Sequence, residues 1–106
     1  MISLINKHRH IFDSYGVKYL RLTDTEKHAN DFSIKKLGDQ EIIYLYNTES
    51  PDKEFITAVF CLASVLVTRN PGTIFTDCVG ELLDIINEPL TNEMLIHSLK
   101  LVVLIS

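Results

Sequence analysis

Tryptophan is absent from this chain of 106 residues, and glycine, proline and cysteine number only four, three and two. The four glycines, Gly16, Gly38, Gly72 and Gly80, are too widely separated to build the GxGxxG or GxxxxGK[ST] loops whose backbone amides cradle phosphates. No serine stands in a GxSxG elbow, so the common hydrolase nucleophile is missing. Cys61 and Cys78 lie in apolar stretches, with no local context that would lower a thiol pKa. The four histidines, His8, His10, His28 and His97, match neither HExxH nor a Cys/His zinc spacing. These absences make the expectation a protein without enzymatic activity, cofactor or metal.

Long hydrophobic runs are missing as well. The densest, Phe55 to Val67, is interrupted only by Thr57 and Ser64. A bilayer span needs about 20 apolar residues, so this stretch predicts a core helix instead. The opening residues, Met1 to His10, lack the order and length of a secretory signal, which makes cytoplasmic residence and reduced thiols the expectation. With 46% hydrophobic and 23% charged residues and no low-complexity tract, the composition is that of one folded globular domain spanning residues 1–106.

What the chain does have is uneven charge. Residues 1–36 carry seven basic and four acidic side chains, whereas residues 37–106 carry three basic and ten acidic. Between Asn70 and His97 there are five carboxylates and no Lys or Arg. Four of them, Asp77, Glu81, Asp84 and Glu88, fall at i, i+4, i+7 and i+11, a spacing that lines them along one helix face. Such a field disfavours nucleic acid and favours basic proteins.

The periodicity predicts an α+β fold. Residues 2–15 suit an N-terminal helix ended by Gly16, and Val17 to Thr23 reads as a short strand. Asp24 to Asp31 reads as a polar connection. Phe32–Leu37 and Gln40–Tyr46 flank Gly38-Asp39 as a hairpin with a primed turn, giving a two- or three-stranded antiparallel sheet. Three C-terminal helices follow. Ser50-Pro51-Asp52-Lys53-Glu54 opens the first, which is apolar nearly all round, runs to about Thr68 and is stopped by Arg69-Asn70-Pro71-Gly72. Thr73 is placed to cap the second, whose apolar residues, Ile74 and Ile85 among them, lie largely opposite the acidic stripe. Pro89 makes Glu88 the least secure member of that stripe. The last helix starts near Thr91, with Met94, Leu95, Leu99, Val102 and Val103 as its expected inner face.

The stripe carries the functional expectation, a small module that binds and neutralises a basic partner. Carboxylates would steer the encounter and exposed aromatic residues would anchor it, with Tyr44, Tyr46 and Phe75 as candidates. Small acidic proteins that block basic nucleases, including immunity proteins of bacterial toxin systems, work by this scheme; the likeness is one of size and charge, without a shared motif. Three other readings stand beside it. Glu81 and Asp84 have the ExxD spacing of a helical Mg²⁺ site, which would suit a small metal-dependent hydrolase. Lys18, Arg21, Lys27, Lys35 and Lys36, interleaved with Tyr15, Tyr19 and Phe32, would suit a single-stranded nucleic acid, although neighbouring carboxylates dilute their charge. Apolar residues around much of the last helix would suit a homodimer.

Overall fold

The computed structural model describes residues 4–22, 32–46 and 50–105. Helices α1 (Leu4–Lys7) and α2 (Arg9–Ser14) lead into strands β1 (Val17–Leu22), β2 (Phe32–Leu37) and β3 (Gln40–Tyr46). Helices α3 (Pro51–Arg69), α4 (Phe75–Ile86) and α5 (Asn92–Ile105) follow. The α+β class and the order of elements agree with the sequence reading, except that the single N-terminal helix is divided at His8.

The sheet is mixed, not antiparallel. Its order is β1-β3-β2, with β3 parallel to β1 and antiparallel to β2. The cause lies in the connections. Gly38, at φ +62, permits the two-residue turn that reverses the chain between β2 and β3. Because β3 is inserted between the other two strands rather than added at an edge, that reversal leaves it running the same way as β1.

Register separates the two faces. Val17 and Tyr19 share one face with Ile43, Leu45, Phe32 and Ile34, and the first four are buried. Lys18 and Leu20 share the other face with Ile42, Tyr44, Tyr46 and Lys35. The sheet's extensive contacts are between β1 and α2 and between β3 and α3.

Helix α3 is the centre of the molecule. Ser50 caps it by accepting from the Lys53 amide at 3.2 Å, and Pro51 occupies its first turn. Every residue from Glu54 to Ala63 is buried, because β3, α1, α4 and α5 all pack against this one helix. At its far end Arg69 donates to Glu41 of β3 at 3.0 Å and to the carbonyl of Tyr15, tying helix and sheet together. Cys61 and Cys78 are both free and buried in this core. Burial raises both thiols above their ordinary pKa, and the Glu81 charge adds to the effect at Cys78.

Two further expectations need correction. Ile74 stands at the N-cap of α4 with no side-chain cap, so Thr73 does not serve that role. On α5, Met94, His97 and Leu101 face inward, while Leu95 (49% exposed), Leu99 (72%) and Val103 (81%) face out. A polar pairing fixes this rotation. The Thr57 hydroxyl donates to the Lys53 carbonyl at 2.7 Å and lies 3.1 Å from His97 Nε2. Its one proton being committed, it accepts from that nitrogen, so Nε2 carries a hydrogen.

Candidate functional site

α4 presents its charge away from α3. Cys78, Val79, Leu82 and Ile86 are buried in the α3 contact, and Phe75 meets Phe60 edge-on at 5.8 Å between ring centroids. Phe75 is therefore half-buried packing and not a free aromatic anchor. Asp77, Glu81 and Asp84 are all exposed on the opposite side, as their spacing requires. Among the described residues none of the three has an ion-pair partner.

The stripe is one residue shorter than its spacing suggests. Asn87 adopts the left-handed conformation at φ +55 and ends the helix by donating its amide to the Leu83 carbonyl at 2.9 Å. Glu88 then leaves the helix line and turns to the N-terminal segment. There it meets Lys7 Nζ at 2.6 Å and His8 Nε2 at 2.8 Å, with its side chain only 13% exposed. The hydrogen bonds it accepts from Lys7 and then from His8 hold its carboxyl below the ordinary carboxylate value. Glu88 is thus a structural clasp between the chain's start and the end of α4. Two of the four consecutive basic or imidazole side chains from Lys7 to His10 are engaged by it.

Tyr44 and Tyr46 do not join the stripe. They lie on the sheet face turned away from α3, whereas Asp77, Glu81 and Asp84 lie on the side of α4 turned away from the same helix. The body of α3 separates the two sets. The apolar neighbours of the carboxylates are instead Ile74 (62% exposed) and Ile85 (57%), both beyond the buried side of α4. At about 100° per residue, Ile74, Asp77, Glu81, Asp84 and Ile85 fall within roughly a 100° arc. A helical wheel drawn on the sequence finds both isoleucines; their apolar character had assigned them to the core.

The remaining candidates are dispersed. Among the described residues no three His, Cys, Asp or Glu side chains gather as a metal-binding group around Glu81 and Asp84 or elsewhere. Asp52 accepts from Thr91 at 2.8 Å, and Glu54 is buried with Arg21 3.7 Å away, so the entrance of α3 keeps its carboxylates for local partners. Of the basic residues near the strands, Lys18 and Lys35 lie on one face of the sheet and Arg21 and Lys36 on the other. Tyr19 is buried, and Lys27 and His28 lie outside the described residues. Among the described residues no helix is long and apolar enough to cross a membrane. No protein family, curated protein or solved structure matches the chain.

Proposed function

We propose that this chain is a protein-binding module whose α4 surface docks a basic protein, most concretely as an inhibitor of a basic nuclease in the manner of an immunity protein. One observation carries the reading. Asp77, Glu81 and Asp84 stand exposed and unpaired among the described residues, and they are bracketed by the exposed side chains of Ile74 and Ile85. The carboxylates supply long-range attraction, and the isoleucines supply area that loses water on contact. The division of labour differs from the one read in the sequence, since Tyr44, Tyr46 and Glu88 stand apart from this surface.

The full chain, immobilised and exposed at low salt to lysate of the cell that makes it, should retain a basic protein that is released at high salt. Against the purified partner, Asp77→Lys combined with Glu81→Lys should slow association about tenfold or more at low salt. Ile85→Ala should instead speed dissociation. An association rate indifferent to the double substitution, or retention of no basic protein, would dismiss the reading.

A further inference from the structure

The outward side of α5 carries an apolar strip flanked by Glu93 and Lys100. Leu95, Ile96, Leu99 and Val103 are 49%, 63%, 72% and 81% exposed. They leave on the order of 500 Å² of apolar side-chain surface to water, toward the upper end of what a free monomer shows. The spacing of Ile96, Leu99 and Val103 is three then four, the seam of a two-helix coil, with Ile96 and Val103 in a positions and Leu99 in d.

The residues flanking the seam are arranged to complement a second copy of themselves. On one flank Glu93 and Lys100 are seven apart and so occupy the same position, e; on the other, Leu95 and Val102 are likewise seven apart, at g. When a helix of this pattern pairs with an antiparallel copy of itself, e lies beside e and g beside g. Ile96 then packs on Leu99 of the second copy and Leu99 on its Ile96. In the same register Glu93 meets Lys100 of the second copy, Lys100 meets its Glu93, and Leu95 lies beside its Val102. Both flanks close at once. A parallel pairing would bring neither charge to its complement. Lys100 has no ion-pair partner among the described residues, and Glu93, which accepts from Ser50 Oγ at 2.5 Å, keeps lone pairs for a cation.

We infer that α5 is a self-association surface on which two copies of the chain pair antiparallel about a two-fold axis, with reciprocal Glu93–Lys100 contacts setting the register. Two such faces bury at most roughly 1,000 Å² in total, the size of a weak, reversible interface, so the dimer should form in a concentration-dependent way. It leaves α4 outward and does not depend on what α4 binds.

Sedimentation velocity of the full chain across the micromolar range tests this directly. The wild type should pass from monomer to dimer with concentration, and Leu99→Lys should stay monomeric with an unchanged circular-dichroism spectrum. Glu93→Lys and Lys100→Glu should each weaken the dimer about tenfold, because each replaces two attractive contacts by two repulsive ones. Glu93→Lys and Lys100→Glu together should restore the wild-type constant. Asp77→Lys with Glu81→Lys should dimerise like the wild type, which separates this inference from the α4 reading. A wild type monomeric throughout the range overturns the dimer. A double exchange as weak as either single one overturns the antiparallel register.

Discussion

If the α4 carboxylates are exposed for a purpose other than holding the fold, they must cost stability, and Glu81 is where the cost is greatest. Asp77 lies one turn before it and Asp84 three residues after it on the same exposed face. Each like-charge contact of this kind destabilises a helix by about 0.2–0.5 kcal/mol at low ionic strength. Glu81→Gln removes both contacts and should stabilise the protein by about 0.4–1 kcal/mol. Glu81→Lys turns both into attractions and should gain about twice that, roughly 1–2 kcal/mol. Glu, Gln and Lys have nearly equal helix propensity, so the difference is electrostatic. For a chain of this size the lysine variant should melt about 4–8 °C higher. Thermal unfolding followed by circular dichroism, at low salt and again at high salt where the gain should shrink, measures it. A lysine variant no more stable than the wild type at low salt would refute the argument and return Glu81 to a supporting role in the fold.

Glu88→Gln should do the opposite at neutral pH. A carboxyl whose folded pKa is lowered contributes stability above its ordinary value of 4.5 and loses that contribution as pH falls through the folded value. Urea midpoints of wild type and variant should therefore differ above pH 4.5 and converge in acid. Gly80 is exposed in mid-helix with nothing within 4 Å of where a Cβ would sit, so Gly80→Ala should stabilise by about 0.5–1 kcal/mol in the same assay. Thr57→Val should cost about 1–3 kcal/mol, because it removes the buried acceptor that His97 Nε2 uses, and the loss should appear in the urea midpoint.

The sequence exposes those parts of the fold that local chemistry decides. Ser50-Pro51 at one end and Arg69-Asn70 at the other bound α3 to within a residue, because cap, proline and dipole preferences act over a single turn. The Gly38-Asp39 turn is legible for the same reason, since only a residue tolerant of positive φ fits its first position. The neighbour of β1 is not legible. Alternation in Val17–Leu22 says which face is buried but nothing about which strand lies alongside. The rotation of α5 was hidden because apolar side chains surround it, leaving no dominant stripe; a buried pairing between His97 and Thr57, 40 positions apart, decides it. At the candidate site, the spacing of Asp77, Glu81 and Asp84 sufficed. Glu88 escaped because its partner Lys7 lies 81 positions earlier in the chain.

The wrapping of α3 bears on how the molecule opens. Among the described elements, none of β3, α1, α4 and α5 can come away without baring part of the buried stretch of α3 from Glu54 to Ala63. Partial openings are therefore nearly as costly as complete ones wherever they touch α3, and cheap only where they do not. Amide hydrogens in the middle of α3 should exchange with solvent at the rate set by global unfolding, while those of the outer turns of α4 and α5 exchange through smaller fluctuations. The surfaces proposed on α4 and α5 thus ride on helices whose inner sides are held against that axis.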